Sequence, residues 1–133
     1  MKKISLLLLL CVLFLVNGFS QVNFKQLSEQ QIKNLLCHKW QLTFLEAKGK
    51  KINVPASVPK LYLGLQSNGT LEEIQDKKKY TGNWSYKHDT FSLITEDKDG
   101  KENYDIVNLT NTILVIRSKF KGIPFNMGMQ LVD

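Results

Sequence analysis

The chain has little to cross-link itself with: its 133 residues include two cysteines, and one of them, Cys11, lies inside an apolar run. Two histidines, His38 and His88, make up the whole supply of imidazole. Metal sites take three or four ligands at set spacing, and the adjacent pair Cys37 and His38 has no second Cys/His cluster to join it, so no metal is expected. Nucleophilic hydrolysis needs a nucleophile, a base and an orienting group together, and neither histidine stands in such a motif. Eight glycines and three prolines are too few for a collagen or low-complexity tract. No phosphate-binding loop or dinucleotide fingerprint occurs, so no cofactor is expected. What is present is an ordinary globular composition, 43% apolar, 10% aromatic and 23% charged, enough for one modest core and one domain.

One stretch is continuously apolar. Lys2 and Lys3 precede Ile4 to Val16, which is interrupted only by Ser5, and Gly18 and Ser20 supply small residues after it. The run is shorter than the roughly 20 residues of a membrane-spanning helix, and the pattern is that of a secretory signal peptide. Cleavage is expected after Ser20, leaving residues 21–133 as the domain, secreted or periplasmic. A lipoprotein anchor is not expected, because Cys11 follows Leu10 in mid-run. Without residues 1–20 the charge is +4, from 16 basic and 12 acidic residues, and Cys37 is the one remaining cysteine, so stability rests on packing. The sequons at Asn68, Asn83 and Asn108 are read as turn and strand composition.

A short helix opens the domain. Ser28 and Gln31 have the spacing of a capping box, Leu27 can staple onto Ile32, and Ile32, Leu35 and Leu36 share a face from about Glu29 to Cys37. From Trp40 the period changes to alternation. Strands are expected near residues 39–47, 60–66, 70–76, 79–87, 90–96, 102–109, 112–119 and 125–132, separated by turn chemistry such as Ser67-Asn68-Gly69 and Gly122-Ile123-Pro124. One long connection runs from about Lys48 to Pro59. Full closure is the arrangement that removes sheet edges, so the expected fold is an all-β, eight-stranded antiparallel up-and-down barrel with one N-terminal helix.

Alternation places Trp40, Leu42 and Phe44 on the inward face, with Leu61, Leu63 and Leu65, then Tyr80, Gly82, Trp84 and Tyr86, then Phe91, Leu93, Tyr104, Ile106, Met127, Met129 and Leu131. The strand at 112–119 is ambiguous, since Ile113 and Val115 face one way and Leu114 and Ile116 the other; the helix is expected to cover its outer side. Glu72 and Glu73 point to opposite faces, which disfavours paired acid–base chemistry and puts one carboxylate inside, at a wet mouth.

The succession of signal peptide, short helix, Trp40, Asn68-Gly69-Thr70, Gly82-Asn83-Trp84, Tyr104-Asp105-Ile106 and Leu114-Val115-Ile116 resembles the small secreted lipocalin-like domains of bacteria, over about residues 27–132. His38 stands where lipocalins usually have the glycine of Gly-x-Trp. The resemblance implies a calycin-type barrel closed at one end by the helix and binding a small apolar or amphipathic molecule at the other. It also implies a basic residue stacked over the first-strand tryptophan; Arg117, the one arginine, either packs on Trp40 in that way or is exposed or ligand-facing, where its guanidinium could hold a carboxylate.

The expected function is therefore non-enzymatic binding in a barrel lined by Trp40, Phe44, Leu63, Tyr80, Trp84, Phe91, Tyr104, Met127 and Met129, with Arg117 as a further ligand contact. A filled barrel acting as a protein-interaction module, an inhibitor or an envelope-associated adaptor with an envelope protein as a possible partner, is the alternative, and an exposed apolar loop at Ile52 to Val58 would favour it. Lysine runs such as Lys77 to Lys79 read as solvated faces; nucleic acid would want exposed aromatics among them.

Overall fold

The computed structural model describes residues 23–132, so the expected signal peptide lies outside the described residues. A single 3₁₀ turn, Phe24–Gln26, leads into helix α1, Glu29–Leu36. The capping box is formed: Gln31 donates its backbone N–H to Ser28 Oγ at 3.2 Å, and Ser28 donates its own to Gln31 Oε1 at 2.9 Å.

Nine strands follow: β1 Lys39–Ala47, β2 Lys50–Asn53, β3 Leu61–Leu65, β4 Thr70–Gln75, β5 Lys78–Lys87, β6 Ser92–Asp97, β7 Gly100–Leu109, β8 Ile113–Phe120 and β9 Ile123–Leu131. Eight of them close in up-and-down order through an antiparallel β1–β9 pairing, and the ninth, β2, pairs with β1. The barrel is thus the expected one. The addition falls in the connection expected to be irregular, where Ala47 pairs with Lys50 across a two-residue turn, Lys48 and Gly49, both at positive φ. Lys121-Gly122 builds the same kind of turn between β8 and β9, so that hairpin is tighter than Gly122-Ile123-Pro124 would have made it.

β1 spends one edge on two partners. Its first residues pair with β3 (Lys39 with Gly64 to Gln41 with Tyr62), and its last four pair with β2. The ring is therefore closed snugly at one end and splayed at the other, where residues 54–60 bridge the gap.

The helix plugs the snug end, where the core lies. Ile32 and Leu36 pack in one cluster with Trp40, Leu65, Leu71, Trp84, Tyr86, Leu93, Ile106, Leu109, Leu114, Ile116 and Met129. This resolves the ambiguous face of β8 and corrects the expectation that the helix covers its outer side. Leu114 and Ile116 face inward opposite Met129 and Met127, and Ile113 stays exposed on the outside, because the helix spends its apolar face on the barrel's end. The eight ring strands and the plug are all supplied by residues 29–131.

Candidate functional site

Residue by residue, the barrel divides into a filled half and an open half. In the filled half, Trp40 is fully buried and its Nε1–H donates to the Leu36 carbonyl at 3.1 Å, tying strand to helix. Trp84 donates likewise to the Gln66 carbonyl at 2.7 Å. Met129 is buried in the same cluster. These three residues are inward, as alternation required, and they occupy the interior.

Above them, Leu63, Tyr80, Tyr104 and Met127 form the transition to the mouth. Leu63 pairs across to both Trp40 and Glu73, and Glu73 pairs with Tyr80, which puts Glu73 on the inner wall. Its neighbour Glu72 points outward and meets Lys79 at 3.1 Å. Tyr104 is half-buried and hydrogen-bonded to Thr95; burial pushes its hydroxyl pKa above the ordinary tyrosine value, and the carboxylates of Glu102, Glu73 and Asp97 push it the same way. The inner wall near the mouth is thus polar on the β4–β7 side.

Three expected lining residues lie elsewhere. Phe44 is on the outer face: a bulge between Leu42 and Phe44 shifts the phase of β1, so that Leu42 pairs with Met129 but Phe44 pairs with Gly128, whose side of β9 faces out. Lys51 Nζ sits 4.3 Å from the centre of its ring. Phe91 is in the β5–β6 connection beneath the plug, at φ 50°, edge-on to Phe24 at 5.8 Å and to His88 at 5.5 Å. Arg117 is exposed on the outer face of β8. Its Nε–H donates to Asn126 Oδ1 at 2.9 Å, and Asn126 in turn donates to Glu46 Oε1 at 3.2 Å, so it neither stacks on Trp40 nor reaches the interior.

The open half is where space remains. A cleft of about 670 Å³ lies between the 54–60 connection and the mouth ends of β1, β3, β4 and β5. Leu42, Leu45, Ile52, Val54, Pro55, Val58, Pro59 and Leu61 give it an apolar wall, and Gln75, Asp76, Lys78 and Tyr80 a polar margin. Of the ten expected site residues, Tyr80 alone lines it. Alternation had placed Leu42 and Leu61 inward and had drawn notice to Ile52–Val58 as an apolar loop; what it could not show is that the split edge of β1 folds that loop over the mouth. Beside it, against the same face of the β1–β2 hairpin, a second cleft of about 480 Å³ is lined by Leu45, Ile52, Phe120, Ile123 and Phe125 among others.

The two histidines and Cys37 stand apart from this space. His38 immediately precedes β1 beside the plug, edge-on to Trp40 at 6.1 Å. His88 Nδ1 shares a hydrogen bond of 2.9 Å with the Tyr86 hydroxyl, also at the closed end. Cys37 is half-buried at the C-cap of α1, and desolvation raises its thiol pKa. Among the described residues no cluster of three or more Cys, His, Asp or Glu side chains could hold a metal.

Comparison with known proteins agrees with this architecture. The family model described as a lipocalin-like domain matches residues 36–116. Among solved structures, the chain is similar to a lipocalin-like protein from Bacteroides uniformis, with a TM-score of 0.56 and 18% identity, the match covering 74% of this chain and 99% of that one. No curated protein matches the chain.

Proposed function

The chain belongs to the lipocalin-like domain family, and on that premise we propose that it is a non-enzymatic binding protein which takes a small apolar or amphipathic molecule into the mouth cleft. The carrying observation is the division of the barrel: indoles and aliphatics fill the helix-capped half, while about 670 Å³ lined largely by apolar side chains stays open at the other end. That volume and lining suit a drug-sized apolar ligand. The polar margin of Gln75, Asp76, Lys78 and Tyr80 suits the more hydrophilic end of an amphipathic one. Both histidines lie at the closed end, away from the cleft, which supports binding over catalysis. We read residues 1–20 as an export signal, so that the barrel works in the periplasm or outside the cell.

Native mass spectrometry of protein purified without denaturation tests this reading. A small-molecule adduct is expected, and Leu61→Trp, which fills the cleft, should abolish it while the barrel stays folded by circular dichroism. A bare wild-type protein, or an adduct retained by the filled variant, overturns the assignment. The exposure of Ile52 and Val58 favours a second reading, a protein-interaction module with an envelope partner; bare protein that captures one such partner would support it.

A further inference from the structure

Two hairpins project side by side from the open end, because β1 and β9 stay paired as far as Glu46 and Asn126. Each turns on Lys-Gly at positive φ, and each carries its apolar residues to the tip. Phe120 is 65% exposed, Ile52 63% and Ile123 42%. Such side chains held out in water, in one neighbourhood, mark a contact surface.

Charge says what kind. Residues 47–53 and 118–124 contain Lys48, Lys50, Lys51, Lys119 and Lys121 and no Asp or Glu. The other two hairpins at this end mix their charges: Asp76 precedes Lys77, Lys78 and Lys79 at the β4–β5 turn, and Asp97 and Asp99 alternate with Lys98 and Lys101 at the β6–β7 turn. Glu46, the nearest carboxylate on β1, is engaged by Asn126. Lysine is thus spread along much of the rim, and the two tips are where it stands with Phe120 and Ile52, the most exposed large apolar side chains of the described residues, and with no carboxylate.

We propose that this two-hairpin lip docks on an anionic lipid bilayer, with Phe120, Ile52 and Ile123 entering the headgroup boundary and the five lysines meeting lipid phosphates. A bilayer fits better than a protein. Three partly exposed side chains fall well short of the roughly 800 Å² per partner of a standard protein interface, whereas a few apolar groups plus several lysines suffice to hold a protein at a charged membrane surface. The lip adjoins the cleft through Leu45 and Ile52, which line both. Docking stands whether or not the cleft carries a ligand.

The test is co-sedimentation of a chain beginning at Gln21 with phosphatidylcholine vesicles, with and without phosphatidylglycerol. Binding is expected only with the anionic lipid, weakening as salt is added. At about five-fold per lysine, Lys50→Glu with Lys121→Glu should lower the partition coefficient by roughly 25-fold or more. Phe120→Ser should weaken binding even at low salt. Lys98→Glu with Lys101→Glu, the same charge change on the β6–β7 hairpin, should leave most of it. Circular dichroism confirms that each variant is folded. Equal binding to both vesicle types, no binding, or equal losses from the two charge-reversal pairs overturns the proposal, as does a lip that captures an acidic protein but never the vesicles.

Discussion

The ring of Phe44 stands where a side chain at Gly128 would have to be. A Cβ built on Gly128 overlaps three atoms of that ring, so on the outer surface of the β1–β9 seam the glycine is the floor on which the phenylalanine rests. The Thr43 hydroxyl donates to the Gly128 carbonyl at 3.1 Å, from the residue that forms the bulge. The seam that closes the barrel is thus held by a bulge, a glycine and an aromatic cover together.

Gly128→Ala is accordingly expected to destabilise the fold by about 1–3 kcal/mol, the usual cost of forcing extra atoms into a packed site. The ring must swing off the seam and off Lys51 to make room. In urea denaturation, Phe44→Ala with Gly128→Ala should cost less than the two single changes added together. Strict additivity would mean that the ring and the glycine do not meet.

How far the sequence could be read follows from what each pattern encodes. Alternation gave the strand count of the ring and the inward positions of Trp40, Leu63, Tyr80, Trp84, Tyr104, Met127 and Met129, because a period of two is a property of the chain itself. It failed at Phe44 because one extra residue in a bulge reverses the phase of everything after it. Val107 is a second such residue, and there alternation misses Leu109, which is inward and buried. Phe91 was misplaced by a strand end set too early, and Arg117 by a family habit whose geometry this chain lacks. The cleft was the least legible part, since it depends on β1 dividing one edge between β2 and β3, a pairing no local pattern specifies.

The two indoles offer a matched pair of measurements. Each N–H reaches a carbonyl that already accepts a backbone turn bond: Leu36 from His38 at 2.7 Å, Gln66 from Gly69 at 3.0 Å. Losing the indole bond leaves neither carbonyl unpaired, so that part of a Trp→Phe change should cost about 0.5–1.5 kcal/mol. Trp40 is fully enclosed and Trp84 lies nearer the surface, so Trp40→Phe also opens the larger void and should show the lower urea midpoint. The reverse order would mean that the plug repacks freely around β1.

Arg117→Met checks the outward placement. The hydrogen-bonded line from Arg117 through Asn126 to Glu46 is exposed, and interactions of that kind contribute about 0–1 kcal/mol. Stability should fall by no more than that. Affinity for acidic and neutral apolar probes, measured by fluorescence titration, should be unchanged for both. Selective loss of acidic probes would place the guanidinium at the ligand after all.

Tyr104 predicts the alkaline limb of the stability curve. Its hydroxyl is held protonated by burial first, and by the Glu102, Glu73 and Asp97 carboxylates after that, so its pKa in the folded barrel is higher than in the unfolded chain. Between those two values the folded state binds the extra proton, and stability must fall as pH rises. The contribution is fully present below the ordinary tyrosine value near 10 and is lost as pH climbs through the raised one. Tyr86 is shifted in the same direction, by burial and then by Glu29, and steepens the same limb. Urea midpoints measured from neutral to strongly alkaline pH should therefore decline more steeply for the wild type than for Tyr104→Phe, with the two curves running parallel below about pH 9. Identical alkaline slopes would mean that the hydroxyl ionises in the mouth as freely as it does in water, and that the inner wall around Thr95 and Glu73 is open to solvent throughout.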